Sequence, residues 1–157
     1  YRMHSEYLRR LYLRNELARG TYQVDGRPVA LTDLRAPIFA VGTERDHVSP
    51  WRSVYKIHLL TDTDVTFLLT NGGHNAGIVS EPGHGGRRYQ MMSQEAEAKY
   101  IDPDIWLARA ARYEGSWWPA WQSWLAAHSD GKVAARAPGS DAFPPLAEAP
   151  GIYVLQP

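Results

Sequence analysis

Two short apolar runs, "APIFAVGT" (36–43) and "DVTFLLT" (64–70), constrain this chain more than any other feature. Each is short for a helix and runs out into a polar or glycine-containing loop, so both read as strands. Ile38, Phe39, Ala40 and Val41 follow one another without a polar residue. That is the pattern of a strand buried on both faces, as in a parallel sheet, and Pro37 suits its first position. Between the runs, Ser49 reads as an N-cap and Pro50 as the first helical residue of a helix over about 50–60, "PWRSVYKIHLL". Strand, helix, strand with short connections is a βαβ unit. The expected fold class is α/β.

The flanking segments fill in around this unit. Residues 2–18 place Met3, Tyr7, Leu8, Leu11, Tyr12 and Leu17 at three- and four-residue spacings, an amphipathic helix with Gly20 as its stop. Asp25-Gly26 in "TYQVDGRPVAL" is a hairpin signal. "GIVSEPGHGGRRYQMM" reads as a glycine-rich surface loop. Asp102-Pro103 opens a helix, "PDIWLARAA", with Asp as cap, and Ser116 caps another, "WWPAWQSWLAAH" (117–128). From Gly131 on, Pro, Ala and Gly dominate, which predicts an extended tail over 131–157. The domain reading is therefore a helix over 1–20, a core over 21–130 and that tail.

In a parallel βαβ unit both strands run the same way, so the loops that follow them open on one edge of the sheet. Asp46, in "VGTERDHVSPW", lies three residues past the first strand; His74, in "NGGHNAG", lies four past the second. Ligands and chemistry in open α/β sheets collect at that carboxyl edge. A catalytic histidine needs one ring nitrogen free for the proton and a carboxylate on the other to fix its tautomer. Gly72 and Gly73 would let the histidine loop turn tightly. From spacing alone, Asp46 also reads as a plain helix cap and His74 as an ordinary loop residue. The chain has no Cys and no Gly-x-Ser-x-Gly, so a nucleophile is missing; in the order nucleophile, acid, histidine it would lie upstream of Tyr1.

Several function classes fall away. Lys+Arg and Asp+Glu both total 17, and the zero net charge lacks the basic excess of a nucleic-acid binder. No apolar run approaches the roughly 18–20 residues of a membrane span. His47, His58, His74 and His84 lack the short spacings of a metal site, so no metal is expected. "GGHNAG" lacks the Gly-Lys-Ser/Thr ending of a phosphate loop. His47 reads as a structural hydrogen-bonder. Trp117, Trp118, Trp121 and Trp124 read as one helical packing face, and Trp51 and Trp106 as core. With no initiator Met, the chain is expected to be a piece of a longer protein.

Five stretches carry a family resemblance: "LRRLYLRNEL" (8–17), "DGRPVALTDLRAPIFAVGTERDHVSPW" (25–51), "VTFLLTNGGHNAGIVSEP" (65–82), "GSWWPAWQSWLA" (115–126) and "PGIYV" (150–154). Together they resemble, in order, the C-terminal part of the polyhydroxyalkanoate synthases, most closely the class I enzymes. The resemblance implies the C-terminal part of an α/β-hydrolase core with an incomplete sheet, and a first helix leaving a cap region. It implies an acyltransferase that polymerises (R)-3-hydroxyacyl-CoA with release of CoA, which is substrate and not cofactor. The family's acid in Asp-His-x-x-Pro-Trp falls on Asp46 and its histidine in Gly-His-x-x-Gly on His74; its nucleophilic Cys has no counterpart here.

On that resemblance the fragment alone is expected to be inert; with only the last strands of the core present, its open sheet edge and apolar face predict self-association or element swapping between copies, with a homodimer expected. With no Cys, cytoplasm is the default compartment, with association to polyester granules. Whether Asp46 orients His74 or acts as a base on the incoming hydroxyl stays open. So does a parent enzyme with Ser in place of Cys, which would be an esterase or polyester depolymerase. A third reading is a silent module whose Trp-rich helix and tail mediate assembly or granule contact.

Overall fold

The computed structural model describes residues 1–156; Pro157, the last residue of the expected tail, lies outside the described residues. Two compact units divide the chain, residues 1–124 and residues 125 onward. The first is α/β. Its main sheet has four strands in the order β3-β4-β5-β6: Ile38–Thr43, Val65–Thr70, Arg88–Gln94 and Ala111–Glu114. β3 and β4 are parallel, from Ile38↔Val65 to Thr43↔Thr70. β5 and β6 then add antiparallel. A separate hairpin pairs β1 (Tyr22–Val24) with β2 (Arg27–Val29) across Asp25 and Gly26, both at positive φ. That is the turn the Asp-Gly pair favours.

The βαβ unit is present, with a broken crossover. Two four-residue helices, α2 (Trp51–Val54) and α3 (Ile57–Leu60), replace the single expected helix, and Pro50 is the N-cap instead of Ser49. The strand buried throughout is β4, every residue of it, whereas Ile38–Val41 of β3 are half-buried at the sheet edge. β4 lies between two strands and under α2 and the helix that carries Trp106; β3 has one strand neighbour among the described residues.

One face of β4 carries the core. Phe67 and Leu69 pack with Tyr55, Trp106 and Ala110, and Trp51, Val54, Met92 and Leu107 close the cluster. Trp106 comes from α4 (Pro103–Arg109), where Asp102 caps as expected: its carboxylate accepts the Asp104 amide at 2.8 Å. Fully burying side chains of this size removes them from water at roughly 1.5–3 kcal/mol each, which makes this cluster the main support of the sheet.

Three further expectations need correction. The helix expected over 2–18 is α1 (Arg2–Glu6) running into a π-helical stretch, Tyr7–Leu13, and it stops there. Asn15 takes a left-handed φ of 51°, which Asn tolerates. Arg10 binds Glu16 at 2.7 Å, and the Glu16 carbonyl accepts the Thr21 and Tyr22 amides. Met3, Tyr7, Leu8 and Tyr12 on its apolar face are exposed. The surface loop expected over 77–92 contains most of β5, because β4 needs a partner on that side and Arg88–Gln94 supplies one. The helix expected to reach Ala111 ends at Arg109; Ala110 turns extended and opens β6.

α5 (Trp118–Ala127) carries the chain from the first unit into the second. In the second unit residues 128–152 form no helix or strand beyond one isolated bridge, Ser140 to Phe143, before a 3-10 turn at Tyr153–Leu155. Among the described residues no helix is long and apolar enough to cross a membrane.

Candidate functional site

The register of β3 and β4 decides the site. Thr43 and Thr70, their last residues, are opposite one another, so the two following loops leave from the same row. Those loops are tied together immediately: the Glu44 amide donates to the Thr70 carbonyl and the Arg45 amide to the Gly72 carbonyl, each at 2.9 Å. Asp46 and His74, 28 residues apart in sequence, then meet, with His74 Nδ1 2.9 Å from Asp46 Oδ2.

Both carboxylate oxygens are engaged. Its second oxygen, Oδ1, accepts the backbone amides of Val48 and Ser49, both at 2.8 Å. These bonds, the one to Ser49 above all, hold the Asp46 carboxyl down at about 2 despite its burial, and His74 adds to the effect. An ionised carboxylate can only accept, so Nδ1 of His74 carries the proton it shares with Asp46. The Asp46 side chain is 8% exposed and that of His74 is 48% exposed. The acid is enclosed and the imidazole is open. No described residue hydrogen-bonds Nε2, which leaves that nitrogen able to take a proton from a group brought against it.

The histidine loop is shaped by its glycines. Gly72 has φ +113°, and a Cβ there would lie 2.8 Å from the Gly77 backbone. The Gly77 amide donates back to the Gly73 carbonyl at 2.9 Å, closing a turn with His74 inside it.

Neither oxygen of Asp46 caps a helix; the loop turn it holds at 46–49 is the nearest it comes to the cap reading. His47, expected to be a structural hydrogen-bonder, is exposed and makes no hydrogen bond among the described residues. His84 pairs with Glu81 at 2.9 Å, and His58 lies against Tyr55 and Phe67 in the first unit. Trp51 and Trp106 belong to the core as expected.

Trp117 and Trp118 do more than pack. The Trp117 indole N–H donates to the Gly77 carbonyl at 3.1 Å and the Trp118 indole N–H to the Ile78 carbonyl at 2.9 Å. Ser116 Oγ donates to the Ser80 carbonyl and accepts the amide of Trp118, the first residue of α5, from one position before the N-cap, which is Trp117 and not the expected Ser116. Sequence reasoning missed this role. The partners are about forty residues away and are backbone atoms, which leave no residue-type signal.

No family model matches the chain. It is 40% identical over 154 residues to the poly(3-hydroxyalkanoate) polymerase subunit PhaC of Rhizobium etli, covering 98% of this chain and 23% of that protein. It is 37% identical over 151 residues to the poly(3-hydroxyalkanoate) polymerase of Methylorubrum extorquens, covering 96% and 24%. It is also 37% identical over 150 residues to the PhaC subunit of Cupriavidus necator, covering 94% and 25%. The chain thus spans about a quarter of the length of the curated relatives it matches. Identity of this order, sustained along almost every residue of the chain and with several of these proteins, shows that the chain is similar to one part of the poly(3-hydroxyalkanoate) polymerases.

Proposed function

We propose that the chain is the C-terminal part of a class I polyhydroxyalkanoate synthase, an acyltransferase that polymerises (R)-3-hydroxyacyl-CoA and releases CoA. Asp46 and His74 are its acid and histidine, and a Cys elsewhere in the whole protein is its nucleophile. The observation that carries this reading is the Asp46–His74 hydrogen bond at 2.9 Å, with the opposite ring nitrogen open. In the reaction, His74 Nε2 takes the thiol proton, the thiolate attacks the thioester carbonyl, and CoA leaves as the thiol by regaining that proton. No cofactor is required; the CoA thioester is the substrate.

Asp46 acts here by orienting His74 and stabilising the imidazolium, and not as a base on the monomer hydroxyl. Both of its oxygens already accept hydrogen bonds, three in all, and a carboxyl held at about 2 is a poor proton acceptor. The test is CoA release by the full-length protein. His74→Ala is expected to abolish it, and Asp46→Asn to lower it by roughly 10³–10⁴-fold through the wrong tautomer. Full activity of His74→Ala would sink the reading and favour the silent assembly module.

The same reading makes the four-stranded sheet the last part of an α/β-hydrolase core. β3, half-buried yet paired on one side only, supports it: the other edge takes a strand from the rest of the protein. Alone, the chain is expected to self-associate along that edge, and the full protein to be a homodimer, cytoplasmic and granule-bound. Sedimentation of the isolated chain at micromolar concentration tests the first point, and a clean monomer contradicts it.

A further inference from the structure

We propose that Trp117 and Trp118, with Ser116, form a clamp that positions the His74 loop, so that the two tryptophans are positioning residues for the acid–histidine pair. The inference rests on the reading of that pair given above.

The loop has two feet. The first, at Gly72, is tied to the Asp46 loop through the Arg45 amide. The second, residues 77–80, is held by three successive side chains, Ser116, Trp117 and Trp118, donating to the carbonyls of Ser80, Gly77 and Ile78. His74 sits between these feet, inside the turn closed by the Gly77 amide on the Gly73 carbonyl. The clamp is itself anchored to the strand that leads to Asp46: Trp117 stacks on Phe39 of β3 with ring centroids 6.5 Å apart. One short segment therefore braces the histidine loop against the acid's own strand.

Packing alone does not explain this arrangement. Trp106 is the packing tryptophan of this protein, fully buried in the core, and its indole N–H has no partner. Trp118 is only half-buried, next to an Ile78 that is itself exposed, yet its N–H is aimed at the Ile78 carbonyl. Burial would be served as well by Phe at that position; the hydrogen bond requires the indole.

A ring isostere separates the two roles. In the full-length protein, Trp117 and Trp118 are replaced singly and together by 3-benzothienylalanine, which keeps the bicyclic shape and puts sulfur where the N–H stood. Trp121, a neighbour on α5 whose indole N–H makes no hydrogen bond among the described residues, serves as the control position. Deuterium uptake of residues 72–80 reports the loop, and kcat and KM for the acyl-CoA report its consequence. For the double replacement, uptake is expected to quicken tenfold or more and kcat to fall roughly tenfold with KM within about twofold. The Trp121 replacement is expected to change neither. Unchanged uptake in 72–80, or faster uptake with kcat at the wild-type level, overturns the proposal. Failure of the underlying reading looks different: His74→Ala would then keep turning over, whatever the uptake shows.

Discussion

Gly77 lies so close to Thr43 that a Cβ on it would stand 2.5 Å from Thr43 Cγ2. Thr43 is the last residue of β3 and 2% exposed, so it has nowhere to retreat. The end of the Asp46 strand and the foot of the His74 loop are thus in contact through a position that only glycine can fill. Gly77→Ala is expected to destabilise by about 1–3 kcal/mol, the cost of overpacking a close-packed site. Gly85→Ala, where a Cβ meets nothing within 4 Å and the backbone is unstrained, is expected to stay within about 0.5 kcal/mol of wild type. Thermal unfolding of both variants checks the contrast.

Acid should loosen the site in a defined window. The folded Asp46 carboxyl sits at about 2, below the ordinary 3.8. A carboxyl depressed on folding stabilises above its unfolded value, and that contribution is lost as pH falls from about 4 toward 2. Asp46→Asn cannot titrate. The melting-temperature gap between wild type and Asp46→Asn should be constant above about pH 5 and narrow below pH 4. A gap that widens in acid would contradict the geometry of Asp46.

His58 supplies a second, separate pH effect. Burial against Tyr55 and Phe67 pushes its imidazole down to about 4 from 6.5. Its Nε2 is enclosed with no hydrogen-bond partner. The unfolded chain therefore binds the proton first, and stability should decline as pH drops from about 6.5 to 4. His58→Phe removes that proton uptake. Its melting temperature should be flatter than wild type across this window, as a calorimetric pH series would show.

The core predicts a graded pair of losses. Trp106 is fully buried and touches Trp51, Tyr55 and Phe67 with ring centroids 5.1–6.1 Å apart. Trp106→Ala is expected to cost about 3–5 kcal/mol through lost transfer energy and the cavity left behind. Tyr55→Phe is a gentler change. It keeps the ring but removes the hydroxyl that lies 2.9 Å from the Ile101 carbonyl and 3.1 Å from Gln94 Oε1. It should cost about 1–2 kcal/mol by leaving buried acceptors short of a donor. Denaturant titration orders the two.

Part of this molecule was legible residue by residue. The Asp25-Gly26 turn and the Asp102-Pro103 helix start are local chemistry: each depends on atoms within about three residues, which the sequence displays side by side. The parallel β3–β4 pair was legible for a different reason. Two apolar runs separated by a helix-sized crossover have few ways to pack, and the handedness rule leaves their loops on one edge. Asp46 and His74 could be nominated from that argument as neighbours, and they are neighbours.

Other features were decided only when distant parts met. Arg88–Gln94 has no clean alternation, with Met91 and Met92 both half-buried, and it is a strand because β4 offers a row of backbone groups to pair. The first helix stops at Leu13 because Arg10 and Glu16 find each other and Glu16 turns its carbonyl to Thr21 and Tyr22. The Trp117 and Trp118 indoles became loop holders through carbonyls about forty residues away. By itself the sequence determined the α/β class, the Asp25-Gly26 turn, the Asp102 cap, and which acid and which histidine share an edge, since spacing and local hydrogen bonding suffice for those. The tertiary structure decided how far Asp46 is committed and what holds His74 in place, because those depend on backbone donors and acceptors that carry no residue identity.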